Sequence, residues 1–194
     1  GVATAPVAIG RLGGSVEFIG GIGDDELGRF LLEVFKRAGV ETSRVQVFKG
    51  RETAYSAILV EKGTGRRTII SWFGSYIRDL TLPVPDLSGA RFLHLDGRWG
   101  DTAVAAARIA REKGIIVTLD AGAGNKEPRM GELLSLSHVA IPAYPFAQEF
   151  TGCNDPVEAA RKILRMGPDV VTVTLGERGS VTVTREETFE TPAF

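Results

Sequence analysis

The chain has 194 residues, of which 43% are hydrophobic and 24% are charged, which is the balance of an ordinary globular protein with a sizeable core. Its net charge of −1 argues against binding to nucleic acid or to an anionic membrane surface, and no apolar run approaches the roughly 18 residues of a membrane span. The single cysteine, Cys153, excludes an internal disulfide and is typical of a reducing, cytoplasmic compartment.

The first part of the chain predicts a strand, a glycine-rich turn and an amphipathic helix. Small apolar residues over Ala3–Arg11 indicate a helix packed on a sheet, and Val16–Ile19 reads as a short buried strand. Asp24 or Asp25 then caps a helix whose apolar residues recur at helical spacing as far as Gly39, a glycine stop. Two adjacent carboxylates could form an acid/base pair, but capping and the helix dipole explain them better.

The next segment predicts a β-hairpin. Thr53–Glu61 and Arg66–Trp72 alternate in polarity, are rich in β-branched and aromatic residues, and flank the turn Lys62–Gly65. The hairpin interrupts a strand and helix alternation, so we expect it to stay outside the main sheet. The expected division is an α/β domain over 1–52 and 73–194, with residues 53–72 as an inserted hairpin.

The rest of the chain alternates strands with helices. Asp101 is expected to cap a helix ending at Lys113, and Asp155 a helix ending at Met166. The predicted strands are Phe92–Leu95, Ile115–Leu119, Val139–Ile141, Val170–Thr174 and Val181–Thr184. Repeated βα units with short loops predict an α/β fold, a doubly wound and mainly parallel sheet flanked by helices.

Ligands of such sheets bind beyond the carboxyl ends of the strands. Four strand ends are therefore candidates for a site: Gly20–Asp25, Asp96–Trp99, Asp120–Asn125 and Thr174–Gly179. The sequence contains neither a G-x-x-x-x-G-K-[ST] loop nor a G-x-G-x-x-G fingerprint, which disfavours a Walker-type NTPase and a nicotinamide-dependent oxidoreductase.

Two of these ends carry suggestive residues, each with a structural alternative. Thr174–Gly179 is either a tight hairpin turn or a glycine platform that a base or phosphate can approach closely. Arg98 is either a forked donor for a phosphate or carboxylate, or a surface arginine paired with Asp96 or Asp101.

Taken together, the motifs resemble those of the ribokinase-like (PfkB-type) sugar kinases over essentially the whole chain. Gly1–Ala5 through Arg11–Gly14 is similar to the first signature of that family, and Phe18–Gly28 to its F-I-G-x-V-G-D-D-x-x-G segment. Thr53–Trp72 falls where the family has the strands of its lid, and Val171–Gly179 is similar to its nucleotide loop.

Two further features place the resemblance closest to the ketohexokinase and sulfofructose kinase branch. One is the sequence D-G-R-W at Asp96–Trp99, together with the small-residue start A-T-A. The other is a departure: many members carry N-x-x-E after the strand at Val139–Ile141, and this chain has Ala143 and Phe146 there. The branch also lacks that motif.

The resemblance implies phosphoryl transfer from ATP·Mg²⁺ to a hydroxyl of a small carbohydrate, with a ketose favoured. It implies that Arg98 contacts a phosphate or an anionic part of the substrate, and for Asp120 either an indirect contact to the magnesium ion or a loop-capping role. The implied nucleotide loop is Thr174, Leu175, Gly176, Glu177, Arg178 and Gly179, and the implied sugar-binding residues are Gly1, Val2, Thr4, Ala5 and Asp96. The hairpin would act as a lid and as the surface of a homodimer.

The resemblance also implies that the 194 residues are part of a longer kinase. The aspartate that removes the hydroxyl proton is expected after Phe194, so no catalytic residue is assigned within this sequence. Two other classes stay open: a nucleotide- or sugar-binding module without activity, and, less favoured, the oxidoreductase.

Overall fold

A computed structural model of the chain describes residues 3–72, 82–122 and 127–193. The chain divides into two compact units, one formed by Ala3–Leu82 and the other containing Pro83–Phe194. Among the described helices, none combines the length and the apolarity that crossing a membrane requires.

Within residues 3–72, the first unit contains two helices and three small two-stranded sheets. Strand β1 pairs with β3 and β2 with β4, both in parallel, whereas β5 and β6 are antiparallel. Its elements are α1 (Thr4–Arg11), β1 (Val16–Glu17), β2 (Gly21–Gly23), α2 (Glu26–Arg37), β3 (Val40–Glu41), β4 (Gln46–Phe48), β5 (Tyr55–Val60) and β6 (Arg67–Trp72).

The glycine-rich segment is partly strand, which sequence reasoning had assigned to a turn. The predicted strand Val16–Ile19 ends at Glu17, and Gly21–Gly23 pairs with β4 instead. Backbone pairing needs only N–H and C=O groups, so the lack of side chains did not prevent it.

Helix α2 begins as predicted, with Asp25 as its N-cap, but its apolar face is buried only in part. Phe35 is fully buried and packs on Phe18 with 4.7 Å between the ring centroids. Leu27 and Phe30, on the preceding turns, remain 42% and 64% exposed. Apolar periodicity thus identified the helix correctly and overstated the extent of its buried face.

The hairpin of β5 and β6 pairs with no other described strand, which confirms that it lies outside the main sheet. Every residue of both strands is exposed, including large apolar side chains on each face. A two-stranded hairpin without a covering layer is marginally stable in water.

The second unit is built on one six-stranded sheet, which confirms the predicted α/β fold with a mainly parallel sheet. Strands β7 to β10 are parallel and lie side by side in chain order, and β11 and β12 add two antiparallel strands at one edge. Its elements are β7 (Phe92–Leu95), α3 (Gly100–Glu112), β8 (Ile116–Gly122), α4 (Met130–Leu136), β9 (Val139–Pro142), α5 (Tyr144–Thr151), α6 (Pro156–Leu164), β10 (Val170–Thr174), β11 (Ser180–Val183) and β12 (Thr188–Thr191).

The core of this unit lies on one face of the sheet. Val117, Leu119 and Ala121 of β8 are fully buried, while the alternate residues Thr118 and Asp120 are only half-buried. Helices α3 to α6 pack against the sheet and bury their small residues there. The alternation therefore places polar side chains such as Asp120 on the more open face.

Two predicted helix boundaries differ from the structure. Asp155 caps α6 as expected, accepting from Glu158 N at 2.9 Å, but the helix ends at Leu164 rather than at Met166. Asp101 does not cap α3: it lies in the first turn and pairs with Arg129 instead. The chain reaches the helix through an earlier turn, so the capping position falls two residues before the one that the sequence favoured.

Candidate functional site

The carboxyl ends of β7, β8, β9 and β10 lie next to one another along one edge of the six-stranded sheet. Leu95 is in register with Leu119, Gly122 with Pro142, and Ala143 with Thr174. Parallel strands end at a common edge, so this register gathers the described parts of three of the four predicted strand ends into one place; residues 123–125 of the second lie outside the described residues. The fourth, Gly20–Asp25, belongs to the other unit.

The end of β7 is a tight turn held by Asp96. Its carboxylate accepts from the backbone N–H of Arg98 at 3.0 Å and lies 3.3 Å from the Arg98 Nε. The Asp96 side chain is largely buried, whereas that of Arg98 is 63% exposed. The structural alternative for Arg98 is thus present: Asp96 positions the guanidinium, and the exposed part of its fork still faces solvent.

The end of β8 carries Asp120 on the half-buried face of the sheet. One carboxylate oxygen, Oδ1, accepts from Gly122 N at 2.8 Å, so Asp120 caps the turn that leaves the strand. No other hydrogen bond to Asp120 occurs within the described residues. Its second oxygen is a hard donor of the type that Mg²⁺ and its bound waters favour, so this side chain fits an indirect contact to the metal.

The end of β9 is apolar at Ala143 and Phe146, the two positions where many ribokinase-like sequences carry the N-x-x-E motif. Ala143 precedes α5 and offers no side-chain cap, and Phe146 is 5% exposed and stacks on Phe150 at 5.2 Å. An ionised side chain at position 146 would be buried in the core without a partner. Position 146 therefore favours an apolar side chain over a carboxylate.

A hairpin turn connects β10 to β11. Of the two predictions for Thr174–Gly179, a tight turn or a glycine platform, the tight turn is therefore present. A single 3₁₀ turn spans Gly176–Arg178, and the N–H of Leu175 donates to the carbonyl of Gly179 at 2.8 Å. Thr174 through Arg178 are exposed or half-buried at the sheet edge. A turn built in this way can also serve as a backbone platform.

The two glycines of this loop have different reasons to be glycine. Gly179 has φ of +85° and ψ of −127° and lies very close to the end of strand β12. A Cβ at this position would stand 1.9 Å from the carbonyl oxygen of Thr191. Gly176, with φ of +64°, has open space where a Cβ would stand. Internal packing thus fixes Gly179, whereas Gly176 leaves room for another molecule to approach its backbone.

One contact of the loop was not anticipated from the sequence. The guanidinium carbon of Arg178 lies 5.9 Å from the ring centroid of Tyr144, the first residue of α5. The Tyr144 hydroxyl donates to the carbonyl of Asn154 at 2.5 Å, which fixes the ring. An aromatic residue directly after a parallel strand was the available signal for it.

Asp24 and Asp25 carry structural roles in the first unit. Asp25 accepts from Gly28 N at 2.9 Å, from Thr53 N at 2.9 Å and from the Thr53 hydroxyl at 2.6 Å. Partial burial opposes ionisation, but these hydrogen bonds outweigh it and hold the pKa of Asp25 below its usual value. Asp24 accepts from Gly50 N at 3.0 Å.

The expected sugar-binding residues near the start of the chain are only partly visible. Gly1 and Val2 lie outside the described residues, while Thr4 and Ala5 form the first turn of α1, Thr4 exposed and Ala5 half-buried. Both belong to the first unit.

Comparison with known proteins gives consistent matches. The family model described as "pfkB family carbohydrate kinase" matches residues 1–194. The chain is 27% identical over 190 residues to a ribokinase of Haemophilus influenzae, covering 91% of this chain and 60% of that protein. It therefore spans about three fifths of the length of this curated relative.

Solved structures show the same fold. The structure of the Halothermothrix orenii fructokinase matches with a TM-score of 0.83 at 27% identity, covering all of this chain and 74% of that one. That of Arabidopsis thaliana ribokinase, complexed with ribose and ATP, matches with a TM-score of 0.82 at 21% identity over 98% of this chain and 65% of that one. Both confirm the ribokinase-like architecture.

Proposed function

Because the chain belongs to the pfkB family of carbohydrate kinases, we propose that the full-length protein transfers the γ-phosphate of ATP to a hydroxyl of a small carbohydrate. The observation that carries the proposal is the common sheet edge, where Arg98 follows β7, Asp120 lies near the end of β8, and the loop Thr174–Gly179 begins at the last residue of β10. A family match alone would not tell whether the residues that such chemistry needs are retained together.

We assign the nucleotide to the loop Thr174, Leu175, Gly176, Glu177, Arg178 and Gly179. The open space beside Gly176 admits a base or phosphate against the backbone, and the exposed Arg178 adds a cation. Magnesium bound with ATP would neutralise charge on the transferring phosphate, and Asp120 would orient water around the ion.

Arg98 is the residue that we assign to the phosphate chain or to an anionic group of the sugar. Asp96 holds the turn and one edge of the guanidinium, so the fork is oriented before a ligand arrives. The same contacts occupy much of the Asp96 carboxylate, which leaves it a smaller role toward a sugar hydroxyl.

The carbohydrate is a further proposal. Gly1, Val2, Thr4 and Ala5 are assigned to the sugar pocket by their place in the family signature, and the sequence D-G-R-W at Asp96–Trp99 favours a ketose. The aspartate that removes the hydroxyl proton is assigned to the part of the protein after Phe194.

We also propose that the hairpin of β5 and β6 closes over the sugar and pairs with a second copy of the chain. Lid closure would exclude water, which competes with the sugar as phosphate acceptor. Exposed apolar side chains on both faces of the hairpin support a partner that covers at least one of them.

The activity is tested on the purified full-length protein by ADP release with D-fructose, D-ribose and an acid sugar as acceptors. Turnover with one of these sugars is the expected result. Binding of ATP or sugar by calorimetry without turnover would favour a non-catalytic module, and binding of NAD in place of ATP would favour an oxidoreductase.

Arg98→Ala tests the assigned site. It should lower kcat/KM by roughly ten- to 150-fold, which corresponds to the range of about 1.5–3 kcal/mol for lost hydrogen bonds to charged groups. Arg91→Ala, an exposed arginine just before the amino end of the same strand, is the matched control and should leave kcat/KM unchanged. Equal kcat/KM for Arg98→Ala and the wild type would remove Arg98 from the site.

A further inference from the structure

Trp99 has a backbone conformation that tryptophan rarely adopts. Its φ of +60° and ψ of +46° lie in the left-handed region, and among the described residues it is the one non-glycine residue with positive φ. For a residue with a Cβ this region costs about 1–2 kcal/mol, and glycine or asparagine occupies it more readily. Strain of this kind persists where the residue has another use.

The fold accounts for the positive φ at position 99 but not for the presence of a tryptophan side chain there. The chain turns sharply between β7 and α3, and the carbonyl of Trp99 accepts from Ala103 N at 2.8 Å to start the helix. Any residue that tolerates positive φ would make this turn. The requirement at position 99 is therefore for the backbone geometry, which asparagine would meet at lower cost.

Packing in the apolar core does not account for a tryptophan at position 99 either. The indole ring is half-buried and does not belong to the apolar core of the described part of the second unit. Its N–H group has no hydrogen-bond partner within residues 82–122 and 127–193. A large aromatic side chain, whose N–H has no partner in the described part of this unit, thus stands at the sheet edge that carries the proposed site.

The place of Trp99 along that edge separates it from the nucleotide loop. Strand β7 lies three strands from β10, which corresponds to roughly 14 Å at the usual strand spacing. The loop Thr174–Gly179 would bind the nucleotide at the far end, so its phosphate chain would run toward Arg98. The group next to Arg98 that receives the phosphate is the acceptor.

We propose that Trp99 is a specificity-determining contact for the carbohydrate acceptor, an inference that rests on the proposed kinase function. The indole ring presents a flat apolar face to the C–H face of a sugar ring, and its N–H offers a donor to a hydroxyl at the rim. The strained turn sets the ring beside Arg98, so that the acceptor is recognised next to the transferring phosphate.

The test compares Trp99→Asn and Trp99→Phe with the wild-type full-length protein, using D-fructose and D-ribose as acceptors. In Trp99→Asn we expect the KM for the sugar to rise about ten-fold, with the KM for ATP unchanged. The melting temperature should be equal or higher, since asparagine tolerates the left-handed conformation. Trp99→Phe, which keeps the aromatic face, should recover most of the sugar affinity.

Phe92→Asn is the matched control, because Phe92 is an exposed aromatic residue at the amino end of β7, the strand that leads to Trp99. It should leave both KM values unchanged. A wild-type sugar KM in Trp99→Asn, or an ATP KM raised as much as the sugar KM, would overturn the inference while leaving the kinase function intact. A wild-type protein that phosphorylates no sugar would overturn both.

Discussion

At the scale of single residues, the two glycines of the β10–β11 loop show how one motif combines two requirements. Gly179 is confined by the backbone of Thr191, 1.9 Å from where its Cβ would stand, whereas Gly176 borders open space. A sequence motif cannot separate these reasons, since both positions read as glycine. The structure shows that close packing requires glycine at the first position, whereas the space beside the second is open.

This difference predicts opposite phenotypes for two substitutions. Gly179→Ala should lower the free energy of unfolding by about 2 kcal/mol or more, because it adds a clash to a conformation that is nearly confined to glycine. Gly176→Asn should change stability by less than about 1 kcal/mol, since asparagine tolerates its φ, and should weaken ATP binding. Urea unfolding and calorimetry with ATP measure both quantities. Equal stability losses in the two variants would contradict the assignment.

At the scale of secondary-structure elements, Asp25 links three pieces of the first unit. Its carboxylate caps α2 through Gly28 and bonds the backbone and hydroxyl of Thr53, the residue that leads into the hairpin. The same Thr53 hydroxyl accepts from Gly23 N at 3.0 Å, in strand β2. The cap predicted from sequence therefore also fixes the base of the hairpin.

Asp25→Ala should accordingly destabilise the protein by about 1–3 kcal/mol, the loss of a helix cap together with hydrogen bonds to a charged group. Asp24→Ala is the matched control, because the adjacent carboxylate is exposed and accepts one described hydrogen bond, from Gly50. We expect its cost to be below about 1 kcal/mol. Chemical unfolding measures both, and an equal cost for the two variants would refute the role of Asp25.

The lowered pKa of Asp25 adds a pH dependence with a defined sign. The folded state holds this carboxyl charged more strongly than the unfolded state does, so its contribution is full above the unfolded pKa of about 3.9. That contribution is lost as the pH falls through this value toward the lower pKa of the folded state. Asp25→Asn should therefore lose less stability than the wild type between pH 5 and pH 3 in the same unfolding experiment.

At the scale of the whole molecule, the hairpin of β5 and β6 exposes large apolar side chains to solvent. Ile58 and Ile69 face each other across the strands and are 56% and 52% exposed, and Leu59 and Ile70, on the opposite face, are 60% and 56% exposed. Two such hairpins pairing through one face would remove the apolar side chains of that face from water.

The proposed dimer is tested by replacing each face separately. Ile58→Ser with Ile69→Ser changes one face, and Leu59→Ser with Ile70→Ser changes the other. One of the two double variants should be a monomer where the wild type is a dimer, because serine removes the apolar area that drives association. Light scattering measures the molar mass of each. A wild-type monomer at micromolar concentration would contradict the proposal, and Thr64→Ala in the turn serves as the control.

The sequence by itself determined the local structure and the family. Caps, glycine stops and apolar spacing depend on neighbouring residues. For this reason Asp155 was predicted as a cap, Asp25 was one of the two caps predicted for α2, and strands β7 to β10 were predicted to within a few residues. Short strands such as β2 and β12 were missed, since their pairing depends on distant partners rather than on their own composition.

Tertiary structure decided which contacts the candidate residues make. Only the fold shows that Asp96 holds Arg98, that Thr191 confines Gly179, and that Trp99 is strained beside an open edge. These are contacts between segments that are distant in sequence, or backbone angles imposed by them. A motif records which residues are present, whereas the register of the parallel strands brings their ends to one edge of the sheet.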